Sequence, residues 1–447
     1  MSRPDATLCL AEYVAGAQAA DLPEPVRKEV ARALLNWVGV AIGASRHETI
    51  EIALRAIAPF AGPPQATVLG RTDRLDIMNA AMLNGISSHV FDFDDTDLRT
   101  TVHPSAPVAP ALLALAEHRG MSGADFVLGM ALGIEAECRI ARAVMPPHQA
   151  IGWHPTGTCG VFGAAVATGK ALGLDAHRMA HAISLAATQP VGIREMFGSM
   201  TKSFHPGRAA QSGMLSALLA EQGYTSSEAG IEAKRGWANV VSTRQDYTAI
   251  TDGLGESFEI MRNSYKPYAC GLVVHPVIDG CIRLREAHRL TPSMIGRIDV
   301  DVHPIVMELT AKRTPSTGLE GKFSVYYAAA IGILAGVAGE PAFSDDAVRV
   351  PEAMALRDKV VPRIDEALRQ DQARVRITLT DGRVLEQFVE HAVGSLHNPM
   401  TDAQLEGKFR DLVAGIIPAD RIGKLIDLCW TVGSLTDAGD IARAAAA

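Results

Sequence analysis

Four segments of this chain are dense in polar groups that a packed core would not choose. The first runs His89-Val90-Phe91-Asp92-Phe93-Asp94-Asp95-Thr96-Asp97, followed by Arg99 and His103-Pro104-Ser105. The second is Gly152-Trp153-His154-Pro155-Thr156, and the third is Gly198-Ser199-Met200-Thr201-Lys202-Ser203-Phe204-His205-Pro206-Gly207. The fourth is Tyr265-Lys266-Pro267-Tyr268-Ala269-Cys270-Gly271, followed by His275. Each sits where a loop meets a helix, where backbone N–H groups are free to hold anions. Histidines titrate near neutral pH and can move a proton. Lysines out of water are fixed cations for developing negative charge. Taken singly, each residue has a plainer reading: the aspartates cap helices, a lone histidine is structural, Lys202 lies on the surface. The clustering at four Gly- and Pro-rich junctions favours a site.

Asp92-Phe93-Asp94-Asp95-Thr96 also matches the DxDxT signature of Mg²⁺-dependent phosphatases of the haloacid-dehalogenase type. That motif should follow a buried strand opening a doubly wound sheet. Here it follows Asn79 to Gly85, which reads as helix, and no βαβ series succeeds it. The other common signatures are missing. Gly253-Leu254-Gly255 lacks the third glycine of a dinucleotide fingerprint. Gly163 to Gly169-Lys170 is one residue too long for a phosphate loop. Neither HExxH nor GxSxG occurs.

The elements that must position these segments read as mostly helical. Val26, Val30, Ala33, Leu34, Trp37 and Ala41 recur at 3.6-residue spacing, with Pro23 and Pro25 at the entry. Helices are predicted over about 76–90, 106–117, 124–143, 158–172, 176–187 and 207–221, with one early strand at 66–69. Ser122 is the expected cap of the 124–143 helix. The pattern changes near Lys266. Ile298-Asp299-Val300-Asp301-Val302 alternates as a half-buried strand does, and two runs, 374–380 and 383–389, flank a hairpin signal at Asp381-Gly382. Between them lie helical stretches at about 323–337 and 352–369. Thr401 and Gln404 form a capping box ahead of 405–413. The expected fold is mainly α with a smaller α+β unit. Residues 1–265 and 395–447 make one helical domain from both chain ends, and 266–394 form an inserted lid.

Composition narrows the class. The 447 residues are 48% hydrophobic and 21% charged, as a globular protein is. A net charge of −8 without a basic run argues against nucleic acid as partner. The six cysteines (Cys9, Cys138, Cys159, Cys270, Cys281, Cys429) are scattered without a CxxC pair. That pattern fits reduced thiols in the cytoplasm and speaks against a zinc ribbon or a cysteine-ligated cluster. Asp5 and Glu12 fall where a signal peptide needs an apolar core, and no apolar run reaches the ~20 residues of a membrane span. A soluble protein without a targeting segment is expected.

With these segments in hand, the sequence resembles the MmgE/PrpD family, whose activities include 2-methylcitrate dehydratase, cis-aconitate decarboxylase and iminodisuccinate epimerase. The resemblance rests on DFDDT…HPS, GWHPT, GSMTKSFHPGRAA, KPYACG…HP, GKFSVYY around Tyr327, and NPMTD…KF, in that order along nearly the whole chain. It implies a helical domain with a smaller α+β lid, a homodimer, a site between the domains, and neither metal nor organic cofactor. It implies site positions Asp92, Thr96, His103, His154, Lys202, Lys266 and Tyr327. Two features differ from the better-known members. The stretch from Thr96 to His103, which includes Arg99, is one residue longer than in the decarboxylases. The Pro-Thr-Gly-Thr-Cys-Gly run after His154 is closer to the shorter members, the epimerase among them.

The shared difficulty of these reactions is a carbanion beside a carboxylate. Lys202 and Lys266 are suited to offset its charge, and either ammonium lowers the pKa of the other. His103 and His154 are the proton carriers, and Asp92 either orients His103 or takes the proton itself. Thr96 and Tyr327 are hydrogen-bond donors to a substrate oxygen, while Arg99 and Arg194 are further candidates for bidentate carboxylate binding. The expected function is a cofactor-independent lyase acting on a small anionic di- or tricarboxylate, 2-methylcitrate dehydratase-like. Epimerisation and decarboxylation are the alternatives. A carboxylate binder without turnover and the Mg²⁺-dependent phosphatase are remoter ones.

Overall fold

The structure is a computed structural model and describes residues 5–447. It is mainly helical, with one four-stranded sheet between residues 295 and 389. The helix Glu24–Gly43 carries Pro25 in its first turn, where the missing N–H costs nothing, and buries Val26, Val30, Leu34 and Trp37. Asp76 opens the helix Ile77–Val90 by accepting from the N–H groups of Met78 and Asn79. Ser122 does the same for Gly123–Val144 through the N–H of Asp125.

Close approach between helices sets the frame of the site. Ile77–Val90 packs along Thr201–Glu221, which packs in turn on Gly160–Ala171. A Cβ on Gly85 would stand 2.7 Å from the Gly207 Cα, and one on Gly207 only 2.4 Å from the Met82 carbonyl. Only glycine permits that crossing. His89 lies one turn beyond Gly85, and Lys202 just over one turn before Gly207, so the crossing brings the two side chains together.

The predicted start of that third-segment helix shifts. The expectation was about residue 207, after Pro206, but the helix begins at Thr201 and runs through the proline. Pro206 forfeits one hydrogen bond, to the Lys202 carbonyl, and the helix survives because its C-terminal four turns are buried against two neighbours. Lys202 therefore stands in the first turn of a long helix.

A second correction concerns residues 352–369, read as one helix. The helix Pro351–Arg357 stops early, and Val360–Ile364 is a strand. Val360, Val361 and Ile364 are β-branched, and Pro362 cannot continue a helix. The strand lies at the sheet edge, where the absent N–H of Pro362 can be tolerated. It pairs parallel with Ile295–Val302, whose other side pairs antiparallel with Ala373–Leu379 and through it with Val384–Val389. The last two strands form the predicted hairpin, turning through Gly382 at φ 89°. The helices His275–His288 and Val325–Leu334 cover the sheet.

The C-terminal helix Asp402–Val413 starts with the predicted capping box between Thr401 and Gln404. Leu405, Phe409 and Val413 join the core formed by the N-terminal helices. Phe409 fits against Gly39, where a Cβ would meet its ring at 2.8 Å. Lys408, on the same helix, is buried and donates to Asn36 Oδ1 (2.8 Å), the Phe93 carbonyl (2.7 Å) and the Lys266 carbonyl (2.9 Å). Its ammonium lies 3.7 Å from the centre of the Phe93 ring. It thus ties the first and fourth polar segments to the helical frame. Lys408→Met leaves three buried acceptors without donors and is expected to cost about 2–4 kcal/mol of stability. Urea unfolding reads this directly, and an unchanged midpoint and slope would show that the three bonds contribute nothing.

Among the described residues, no helix is long and apolar enough to cross a membrane.

Candidate active site

The Asp-Phe-Asp-Asp-Thr loop divides its side chains by alternation. Phe91 and Phe93 enter the core built on the sheet, while Asp92 meets Lys202 and Lys266 and Asp94 meets His89. Asp92 adopts φ 50°, an uncommon backbone for a non-glycine residue, and Lys266 holds it there by donating to its carbonyl at 2.9 Å. Thr96-Asp97 then pairs antiparallel with Asn263-Ser264, which carries Lys266 alongside the loop. The third acid, Asp95, is structural. Its Oδ2 accepts from Ser105 Oγ and Asn263 Nδ2, and burial raises its pKa to about 6 despite those bonds.

One cavity gathers most of the expected residues. Asp92, Thr96, His103, His154, Lys202 and Lys266 line it, opposite a wall that includes Leu98, Phe197, Leu272, Val273, Leu309 and Phe323. Its lining takes Asp92 to Lys202 from the helical part and Gly271 to Phe323 from the sheet-bearing part, Val273 and Leu309 among them joining the core built on the sheet, so the cavity lies where the two parts meet. It thus combines a charged pole with an apolar wall, as small-ligand sites do.

The charged pole is tightly bonded. Asp92 Oδ1 accepts from Lys202 Nζ at 2.8 Å and from Lys266 Nζ at 2.9 Å. Its other oxygen is buried without a partner. Burial alone would raise the Asp92 pKa, but the two ammonium groups outweigh it and hold the carboxyl well below the usual range. Lys202 also donates to His89 Nε2 at 2.8 Å, and burial lowers its pKa against the pull of Asp92. His89 Nδ1 lies 2.6 Å from Asp94 Oδ2. The other Asp94 oxygen is 3.3 Å from His103 Nδ1, which also lies 3.1 Å from Thr96 Oγ1. Asp94 is held ionised because His103 and His89 outweigh its burial. His103 has its pKa lowered, first by burial and then by Lys266 and Lys202 against the attraction of Asp94. The backbone N–H of His103 donates to Thr156 Oγ1, joining the second segment to the first. His154 Nδ1 meets His205 Nδ1 at 2.9 Å, and burial keeps both rings neutral, His205 with a pKa near 4.

Three expected residues lie elsewhere. The Tyr327 hydroxyl donates to the Ala342 carbonyl at 2.6 Å, and its ring packs edge-on against Phe343, so it belongs to the core built on the sheet rather than the cavity. Arg99 is drawn off by Glu259, while its neighbours Leu98 and Thr101 line the cavity. Arg194 is held by Glu308 at 2.7 Å and by the Gln149 carbonyl, in an outer groove beside Lys312. In each case a nearby acceptor holds the side chain outside the cavity, although Arg194 Nε stays buried without a partner. The orienting role expected of Asp92 also moves: Asp92 binds the two lysines, and Asp94 is the carboxylate beside His103. His89, Asp94 and Lys408 are functional positions that residue type alone does not mark out in the sequence. His89 and Asp94 sat in the first segment, and Lys408 in the NPMTD…KF match, so the signal was there.

Two side-chain clusters have the composition of metal sites: His89, His103 and His154, and Asp92, Asp94 and His103. In each, the ligand atoms lie within 4.8 Å of one another. Both are already engaged by protein cations, because Lys202 occupies the His89 lone pair and both ammonium groups sit on Asp92. A divalent ion would have to displace them against charge repulsion.

Family models described as the MmgE/PrpD N-terminal domain and the MmgE/PrpD C-terminal domain match residues 9–250 and 268–432. The chain belongs to the MmgE/PrpD family. Curated relatives of this family resemble it over nearly their full lengths. Cis-aconitate decarboxylase of Aspergillus terreus is 27% identical, covering 93% of this chain and 91% of the relative. The human enzyme of that name is 26% identical over 96% and 92%, and the mouse enzyme 25% over 98% and 92%. The DxDxT reading does not fit this family fold: Asp92 follows a helix, not a strand, and the sheet lies two hundred residues on.

Proposed function

We propose that this member of the family is a cofactor-independent lyase that removes the α-proton of a small di- or tricarboxylate, with a 2-methylcitrate-like hydroxy acid as the substrate type. The observation that carries it is the convergence of Asp92, His103, His154, Lys202 and Lys266 on one cavity. A neutral, buried imidazole is ready to accept a proton, and His103 is in that state. Lys202 and Lys266 offset the charge that builds on the carboxylate as the proton leaves. The unpartnered Oδ2 of Asp92 suits a donor on the substrate, such as the hydroxyl of a hydroxy acid. In the elimination the electron pair of the broken C–H bond forms the double bond as the C–O bond breaks, and the leaving oxygen takes a proton from one of the cavity ammonium groups, Lys202 or Lys266, and departs as water. A homodimer in the cytoplasm is part of the same reading.

Decarboxylation is the second reading, favoured by the names of the curated relatives. There the carbon–carboxylate bond breaks first and the proton is delivered afterwards, so the same groups act in reverse order.

Proton NMR in D₂O over a panel of citrate-like acids tests both. The expected result is loss of the α-proton signal with alkene formation, unchanged by EDTA. Release of CO₂ without prior exchange moves the assignment to decarboxylation. Exchange with inversion and no alkene moves it to epimerisation. Binding by calorimetry without any turnover indicates a carboxylate binder, and activity lost to EDTA and restored by Mg²⁺ would sink the cofactor-independent reading.

A further inference from the structure

Lys202 and His103 are joined by an unbroken chain of polar contacts through two residues that the cavity lining alone does not reveal. Lys202 Nζ lies 2.8 Å from His89 Nε2, His89 Nδ1 lies 2.6 Å from Asp94 Oδ2, and Asp94 Oδ1 lies 3.3 Å from His103 Nδ1. All four side chains are buried. The chain begins and ends on groups that face the cavity, while His89 and Asp94 stand behind them.

Hydrogen-bond polarity fixes how the protons lie along it. A lysine ammonium has donors and no acceptor, so His89 Nε2 accepts. The neutral His89 ring therefore carries its proton on Nδ1, and that N–H donates to Asp94 Oδ2. Burial takes the His89 pKa down to about 3, although Asp94 pulls it up, so the ring stays in this single neutral form near pH 7. Asp94 Oδ1 is buried without a hydrogen-bond partner, with His103 Nδ1 in ion-pair contact at 3.3 Å and the Lys266 ammonium 4.0 Å away. A lone pair on His103 Nδ1 would face that buried anionic oxygen and be repelled. A proton there is attracted, and Thr96 Oγ1 at 3.1 Å can share it as acceptor. With Nδ1 protonated, the basic lone pair of neutral His103 is on Nε2.

We infer that His89 and Asp94 are positioning residues that set His103 as an Nε2 base, with Asp94 balancing the imidazolium that forms when the proton is taken. The inference rests on the proposed α-proton reading for its consequence in turnover, but not for the tautomer itself. When His103 Nε2 takes the substrate proton, the ring becomes a cation with both nitrogens protonated. The new positive charge then faces the Asp94 carboxylate, which stays ionised. Lys202, at the far end, holds His89 through Nε2 while His89 Nδ1 engages Asp94. A single polar chain thus places the base and the charge-stabilising ammonium in fixed relation.

The test has two independent arms. In the first, protein carrying ¹⁵N-labelled histidine is read by long-range ¹H–¹⁵N NMR without substrate, with His103 and His89 assigned through His103→Gln and His89→Gln. The expected spectrum shows both rings protonated on Nδ1. In Asp94→Asn the side-chain amide can donate to Nδ1, and His103 is expected to move to the Nε2–H form. A wild-type His103 already protonated on Nε2 would overturn the proposal whatever the substrate is. In the second arm, Asp94→Asn, which matches the aspartate in size, should lower kcat by about 10³–10⁴-fold with KM nearly unchanged, the scale seen when a histidine base is left in the wrong tautomer. His89→Gln keeps an acceptor for Lys202 and a donor for Asp94 and should retain turnover within about tenfold, whereas His89→Leu should lose about 10²-fold. Equal losses in the two His89 variants would assign His89 to packing and remove it from the proposal. Full turnover in Asp94→Asn would remove Asp94. Should every acid in the panel fail as substrate, the first arm still decides the tautomer while the α-proton reading alone falls.

Discussion

Lys202→Met is expected to lower kcat by about 10²–10³-fold while raising KM far less. Methionine keeps the aliphatic stem and removes the ammonium. The charge Lys202 offsets is greatest when the α-carbon has lost its proton, so the lost interaction is worth more in the transition state than in the bound substrate. Loss of one preorganised donor to a developing anion typically costs about 3–4 kcal/mol of transition-state stabilisation, which is that range of rates. The local consequences are specific. Asp92 keeps Lys266 but loses a second ammonium, and the His89 Nε2 lone pair loses its donor. Some stability should be lost as well, because buried His89 Nε2 is left without its donor and the buried Asp92 carboxylate keeps one ammonium instead of two. Steady-state kinetics on the best substrate from the acid panel, with thermal unfolding alongside, separates these effects. A rise in KM with kcat intact would mean that Lys202 binds ground state and transition state alike.

The parts of this molecule that could be read from its sequence are those in which one local rule decides. The capping box at Thr401 and Gln404, the Asp381-Gly382 hairpin and the alternating strand at 298–302 each follow from nearest-neighbour chemistry, and the structure shows them where expected. The failures come where a tertiary contact overrides the local signal. Pro206 looks like a helix start, yet packing against Ile77–Val90 carries the helix back to Thr201. Val360–Ile364 lies close after a helix and reads as its continuation, although Pro362 marks the break. Among site residues, Asp92, Thr96, His103, His154, Lys202 and Lys266 do line one cavity. Residue type could not tell Asp92 from Asp94, because their division of labour depends on which oxygen meets which ammonium across a helix crossing. Nor could it foresee that Glu259, Glu308 and the Ala342 carbonyl would occupy Arg99, Arg194 and Tyr327. Those partners come from distant parts of the chain.

His103→Gln carries the other large effect, and it tests the base directly. Glutamine nearly matches the imidazole in reach and hydrogen-bonding capacity, but it does not titrate. Its amide N–H can still donate to Asp94 or Thr96, so the loop should hold its shape and the fold its stability. Turnover should fall by about 10²-fold or more, the usual contribution of a positioned general base, while substrate affinity changes less. The pH profile adds a second signature. Neutral His103 is the active form, so kcat/KM of the wild type should fall as pH drops and the ring gains a proton. Burial first, then Lys266 and Lys202, lower its pKa from 6.5, so that acid limb should lie below the ordinary histidine range. The alkaline limb should reflect Lys202, the ammonium whose charge is lost as pH rises, and burial sets it below 10.5. His103→Gln should flatten the acid limb and leave the alkaline one in place. His154 is the natural rival, since it is neutral, lines the same cavity and is backed by His205. If His103→Gln kept most of its turnover with its acid limb intact, the proton would be passing to His154, and the chain from Lys202 through His89 and Asp94 would end on a ring that orients the substrate without accepting its proton.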